Sequence, residues 1–127
     1  HVIPVNTAWR PDHAMPVRNG WMKAIIDGQQ LIGEITVSVP VCVLLSTRWV
    51  APTKWSEALT KVDSVINVDA VADASVRLSH SVTISWVEDA LHDVFLSAIK
   101  PRKQAYRQLE TWVRGFLCSG TIGEQKH

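Results

Sequence analysis

The sequence has little of what marks the more easily recognised classes of protein. Its two cysteines, Cys42 and Cys118, predict unpaired thiols and exclude a disulfide framework. Its five histidines are scattered without the spacing of metal ligands, so we assign no metal and no cofactor. Thirteen lysines and arginines nearly balance twelve aspartates and glutamates, and the formal net charge of +1 gives no reason to expect a nucleic acid as a partner.

Long apolar runs are also missing. None approaches the roughly 20 residues that cross a bilayer, so we expect no membrane span and a cytoplasmic location. The 127 residues, of which 46% are hydrophobic, suffice for one globular domain. We expect that domain over 18–117, after an irregular, proline-interrupted arm over 1–17 and before a flexible tail over 118–127. The arm is equally consistent with a disordered terminus.

Two short runs predict the strands of a parallel sheet. Val39 to Ser46 is apolar almost throughout, as in a strand that helices cover on both faces, and Pro40 is tolerated at its start. Ser81 to Val87 is rich in β-branched and aromatic residues. Because a helical pattern lies between them, the fold class is α/β.

Three segments have a helical pattern. The first begins at a capping Asn19 and ends or loosens at Gly28. The second begins at Asn67, and the third has Pro101 in its first turn and ends near Gly115. The predicted core-facing positions are Val71, Ala74 and Leu78 in the second helix and Tyr106, Leu109, Trp112, Val113 and Phe116 in the third.

A lone histidine follows the second strand. His92 lies shortly after Val87, at the sheet edge where functional side chains collect in open α/β sheets. Such a histidine is commonly a structural hydrogen-bonding group, and a catalytic role requires a carboxylate on its far nitrogen. We prefer Asp63 as that acid, because the loops after neighbouring parallel strands emerge at the same edge. Asp69 is the second choice, since Asp69 and Asp73 are better explained as residues of the second helix.

Three segments together resemble a known family. They are Pro40 to Ser46, Val62 to Ile66 and, most specifically, Ala90 to Ser97 with the sequence Ala-Leu-His-Asp-Val-Phe-Leu-Ser. They resemble the carboxyl-terminal half of serine α/β-hydrolases, nearest to the monoacylglycerol lipase, lysophospholipase and serine aminopeptidase-like branch. The resemblance implies a partial α/β-hydrolase fold, made of the last strands of a mostly parallel sheet with flanking helices. It also implies that Asp63 is the triad acid, that His92 is the general base and that the arm over 1–17 returns from a lid.

The sequence departs from that family at the nucleophile. The family's serine lies in a Gly-x-Ser-x-Gly turn, and no such pattern occurs in the 127 residues. Because the family order is serine, acid, histidine, we expect the serine and the oxyanion hole upstream of His1. Asp89, where the family usually has a small residue, is expected to place a negative charge near His92. Trp49 occupies a loop position at which we would expect a small polar residue from the resemblance.

We therefore expect a carboxyl-terminal fragment of a serine ester hydrolase that supplies the acid and the base of a Ser-Asp-His triad. It would act on a small acyl ester when an upstream segment completes it, and it would be inactive alone, because losing the nucleophile costs on the order of a millionfold in kcat. The alternative is a non-catalytic remnant or protein-interaction module, in which the exposed strand 41–46 presents an open sheet edge for self-association.

Overall fold

A computed structural model describes Ala8 and residues 16–120 of the chain. Three helices, two strands and two short 3-10 helices make up this part. In chain order they are helix α1 (Asn19–Ile32), strand β1 (Val41–Ser46), a 3-10 helix (Glu57–Lys61), helix α2 (Val68–Ser75), strand β2 (Val82–Val87), a second 3-10 helix (Val94–Leu96) and helix α3 (Ile99–Gly120). The predicted arm falls outside the described residues except for Ala8, Pro16 and Val17, and 121–127 of the predicted tail fall outside them as well.

Strands β1 and β2 form a parallel sheet in which Val41 lies opposite Val82 and Ser46 lies opposite Val87. Parallel neighbours need a crossover connection, and the segment that contains α2 provides it. The chain is therefore a small α/β protein, as the alternation of apolar runs and helical patterns predicts.

The first strand begins later than predicted, because Pro40 has no N–H group to donate. The ladder starts instead at Val41, whose N–H donates to the Ser81 carbonyl at 2.9 Å. The predicted burial on both faces is wrong for most of β1, in which only Leu45 and Ser46 are buried. The reason is the small size of the sheet, since a strand with only one neighbouring strand remains half-exposed over much of its length.

The core lies near the carboxyl end of the sheet. Its buried members are Val87 from β2, Ala90 from the loop after β2, Val94 from the second 3-10 helix and Ala105 from α3. Because two of the four belong to the segment around His92, the packing of the core and the position of His92 depend on each other.

Helix α1 differs from its prediction at both ends. Arg18 is its N-cap and makes no side-chain capping bond, so Asn19 is the first helical residue rather than the cap. The helix also continues through Gly28 to Ile32, because a single glycine costs about 1 kcal/mol in a helix and does not by itself end one. None of its residues is buried.

The predicted start of α2 is confirmed. The side chain of Asn67 accepts hydrogen bonds from the N–H groups of Asp69 and Ala70 at 3.0 and 3.1 Å. The buried face differs from the prediction, because the helix ends at Ser75, before Leu78. The buried residues of α2 are Val68, Ala72 and Ser75, whereas the predicted Val71 and Ala74 are half-buried.

Helix α3 continues past Gly115 to Gly120, so 118–120 are helical. Over 99–118 its buried residues are Pro101 and Ala105, and of the predicted face Tyr106, Val113 and Phe116 are exposed. A helix of 22 residues is about 33 Å long, whereas a strand of six residues is about 20 Å long. The helix is therefore longer than the sheet that the prediction assumed would cover it.

Among the residues described, no helix combines the length and the hydrophobicity that a membrane crossing needs. Within the same residues, no cluster of three or more His, Cys, Asp or Glu side chains could hold a metal ion.

Candidate active site

The two predicted site residues lie at the carboxyl edge of the parallel sheet. Asp63 belongs to the loop after β1, and His92 belongs to the loop after β2. His92 Nδ1 lies 2.9 Å from Asp63 Oδ2, so the predicted hydrogen bond between the two side chains is present. The parallel register of β1 and β2 explains the contact, because it brings the two loops out side by side.

The backbone of Asp63 is anchored to the end of β1. Asp63 N–H donates to the Arg48 carbonyl at 2.9 Å, and the Asp63 carbonyl accepts from Val50 N–H at 2.9 Å. Asp63 and Trp49 thereby form an isolated parallel bridge shortly after β1. The long connection from Ser46 to Asn67 thus comes back to the carboxyl edge of the sheet at Asp63.

The Asp63 carboxylate is almost fully buried and fully hydrogen-bonded. Its Oδ1 accepts from Val65 N–H at 2.7 Å and from Ile66 N–H at 3.0 Å, while Oδ2 faces His92. Burial by itself raises the pKa of Asp63, but the hydrogen bonds from Ile66, His92 and Val65 and the charge of His92 outweigh burial and hold the pKa below its usual value. Asp63 is therefore ionised at neutral pH and acts only as an acceptor.

His92 offers its other nitrogen to solvent. Its side chain is 46% exposed, whereas that of Asp63 is 2% exposed. Because an ionised carboxylate can only accept, Nδ1 of His92 is the protonated nitrogen of the pair. In the neutral ring Nε2 then carries the free lone pair, and no described residue donates a hydrogen bond to it. This is the tautomer and orientation that a general base requires.

Hydrogen bonds of the loop support His92 on both sides. Before it, Ser46 Oγ donates to the Ala90 carbonyl at 2.8 Å, and Leu91 N–H donates to Ser97 Oγ at 2.9 Å. After it, the Asp93 carboxylate accepts from the N–H of Phe95 at 3.0 Å and caps the second 3-10 helix.

Sequence reasoning missed Ser46 and Ser97 as part of the site and treated them only as the ends of segments. A serine at the end of an apolar strand only weakly indicates such a role, since the sequence does not show which carbonyl its hydroxyl would bond.

Asp89 forms an ion pair with Arg48 Nη2 at 2.8 Å, on the surface of the protein. The negative charge that we expected beside His92 is therefore matched by a positive one. Asp89 has a φ of 55°, and it is the one residue other than glycine with a positive φ in the part of the chain described. Aspartate adopts this left-handed conformation more readily than most residues, whereas glycine adopts it without strain.

The other candidate acids are elsewhere. Asp69 lies in the first turn of α2 and Asp73 lies further along the same helix; both are exposed, and neither is hydrogen-bonded to His92. The structure thus brings together Asp63 and His92 and leaves the second choice, Asp69, at the helix terminus.

A cleft of about 700 Å³ lies next to the acid loop. Its walls include Val62, which precedes Asp63, and the paired side chains of Arg48 and Asp89, together with the exposed ring of Trp55. No serine, threonine or cysteine of the described residues is hydrogen-bonded to the His92 side chain, whose one hydrogen-bond partner among them is Asp63.

No protein-family model, no curated protein and no solved structure matches this chain. The fold and the site together define a small α/β protein with a hydrogen-bonded Asp–His pair at the carboxyl edge of its parallel sheet.

Proposed function

We propose that the chain is the carboxyl-terminal part of a serine α/β-hydrolase and supplies the acid and the general base for cleaving a small acyl ester. The observation that carries the proposal is the hydrogen bond between His92 Nδ1 and Asp63 Oδ2, with Nε2 open to solvent. In a triad, the acid holds the histidine tautomer and stabilises the imidazolium, while Nε2 takes the proton of the serine hydroxyl.

The order of elements supports the same assignment. An acid after one parallel strand and a histidine after the next, on neighbouring strands, is the arrangement that the family resemblance implies. The left-handed backbone at Asp89, where the family usually has a small residue, is also consistent with it, because a small residue relieves strain at such a φ. The wider α/β-hydrolase sheet and the lid belong to the proposal and lie beyond the described residues.

The serine comes from outside the 127 residues, because no Gly-x-Ser-x-Gly pattern occurs among them. In serine hydrolases, loss of the nucleophile alone lowers kcat by about a millionfold. We therefore expect the purified chain neither to hydrolyse p-nitrophenyl butyrate nor to react with a fluorophosphonate. Turnover together with labelling of a serine would place the nucleophile within the chain and overturn this part of the proposal.

The DNA upstream of the His1 codon gives the decisive test. We expect a reading frame there that encodes a Gly-x-Ser-x-Gly motif, and its absence from every frame would contradict the proposal. In the polypeptide extended by that segment, ester hydrolysis should fall about 10⁴-fold on Asp63→Asn and by far more on His92→Ala. His80→Ala is the matched control, since His80 is exposed and lies outside the site, and it should leave the rate unchanged.

Two observations favour the alternative, a non-catalytic remnant or protein-interaction module. Helix α1 has no buried residue and exposes Trp21, Met22, Ile26 and Leu31. In addition, β1 has only one strand neighbour, so its other edge is unpaired within the described residues. Self-association through these surfaces would appear as a concentration-dependent mass in sedimentation equilibrium, and a strictly monomeric chain would contradict self-association.

A further inference from the structure

Two buried serine hydroxyls hold the backbone immediately before His92. We propose that Ser46 and Ser97 are positioning residues, which keep the His92 ring turned so that Nδ1 stays on Asp63 and Nε2 stays free. The inference rests on the proposed function, because it concerns how the general base of that reaction is held in place.

Ser46 connects the end of β1 with the loop after β2. It is 1% exposed, and its Oγ donates to the carbonyl of Ala90, which is itself fully buried, at 2.8 Å. A buried hydroxyl and a buried carbonyl each need a partner, so the two groups depend on one another. The bond therefore fixes the peptide unit two residues before His92 to the sheet.

Ser97 closes the loop from the other side. It is 2% exposed, and its Oγ accepts the N–H of Leu91 at 2.9 Å. The residue directly before His92 is thus tied to one that follows it. Together the two serines hold one peptide group, the one that joins Ala90 to Leu91, Ser46 at its carbonyl and Ser97 at its N–H, and each does so from a different element.

The restraint matters because the ring is only partly buried. With its side chain 46% exposed, His92 is held by one hydrogen bond to Asp63 and by the course of its backbone. A loop that loses a backbone restraint lets the ring leave the carboxylate, after which water competes for Nδ1 and the two neutral tautomers mix. The loss of one neutral hydrogen bond should change the ratio of the two neutral His92 tautomers about fivefold.

Ser46→Ala and Ser97→Ala test the inference in the full chain. Ser79→Ala is the matched control: Ser79 is 9% exposed, and its Oγ donates to the Val39 carbonyl at 2.7 Å at the opposite end of the sheet. The readouts are the ¹⁵N shifts of the His92 imidazole, which report the tautomer, and the rate of carbethoxylation at Nε2, measured by mass spectrometry. Thermal melting is recorded in parallel for each variant.

We expect all three variants to lower the melting temperature. Only Ser46→Ala and Ser97→Ala should shift the His92 tautomer ratio, by about fivefold, and change its carbethoxylation rate. An unchanged tautomer ratio in both variants, or an equal shift in Ser79→Ala, would overturn the inference. Should the variants fail to fold, amide exchange in the wild type decides the question, because the Leu91 N–H must then exchange slowly, and rapid exchange would refute the restraint.

The same spectra separate this inference from the proposed function. A wild-type His92 without a proton on Nδ1 would contradict the proposed function itself. A wild-type signal of the expected tautomer that survives both serine substitutions would contradict only the positioning role.

Discussion

Replacing the buried carboxylate of Asp63 by an amide should make the protein less stable at neutral pH and less sensitive to acid. Asp63→Asn keeps an oxygen for the N–H groups of Val65 and Ile66, which lie at 2.7 and 3.0 Å, but removes the charge and presents an amide to His92. Hydrogen bonds to a charged group contribute about 1.5–3 kcal/mol and neutral ones about 0.5–1.5 kcal/mol. Because desolvation offsets part of the gain and His92 is half-exposed, we expect a net loss of about 1–3 kcal/mol at pH 7.

The pH dependence follows from the direction of the pKa shift. The folded state holds the pKa of Asp63 below its value in the unfolded chain, mainly because the hydrogen bonds outweigh the opposing effect of burial. A lowered pKa stabilises the fold above the unfolded value, and this contribution is lost as the pH falls through the folded value. The difference between wild type and Asp63→Asn should therefore shrink below about pH 4.

The assay is urea unfolding of both proteins at pH 7, 5, 4 and 3, with Asp73→Asn as the control. Asp73 is exposed on α2, and its substitution should change the free energy of unfolding by less than about 0.5 kcal/mol. The reasoning is refuted if Asp63→Asn is as stable as the wild type at pH 7, or if the difference between them persists unchanged at pH 3.

Three further predictions concern the elements that frame the site. Asn67→Ala should lower the free energy of unfolding by about 1 kcal/mol in urea titrations by removing the α2 cap, while Asn19→Ala, at a position that caps nothing, should have less than half that effect. Asp89→Ala should be about 1 kcal/mol less stable than Asp89→Gly, because both lose the ion pair but only glycine adopts a φ of 55° without strain, and equal stability would contradict this. Burial raises the pKa of the Cys42 thiol, so dithionitrobenzoate should modify Cys42 more slowly than the exposed Cys118 in the folded protein and at a similar rate in 8 M urea; equal rates before unfolding would refute the difference.

Local signals were sufficient where the cause of the structure is local. The Asn67 cap is an interaction between a side chain and the backbone of the next few residues, so the residue types alone predict it. The two strands follow from runs of β-branched and apolar residues, and the position of Pro40 explains why the first run pairs only from Val41. The pairing of Asp63 with His92 could be predicted because it needs only two neighbouring parallel strands.

Predictions that depended on what packs against an element were less successful. The apolar pattern of α3 does not show how wide the neighbouring sheet is. The sheet has only two strands, and Tyr106 and Phe116, which we assigned to a buried face, are exposed. Gly28 and Gly115 lie within helices, because neighbouring residues and the hydrogen-bond ladder outweigh the preference of one glycine.

The sequence by itself determined that an aspartate and a histidine follow the two strands, because residue type and the order of the elements are properties of the chain. Only the tertiary structure decided that Asp63 is buried with its charge fully hydrogen-bonded, that Arg48 balances Asp89, and that Ser46 and Ser97 hold the loop. These interactions join residues whose partners are set by the register of the sheet and by the path of two loops. No local pattern encodes such a path, because it is the joint result of packing and of the need of every buried polar group for a partner.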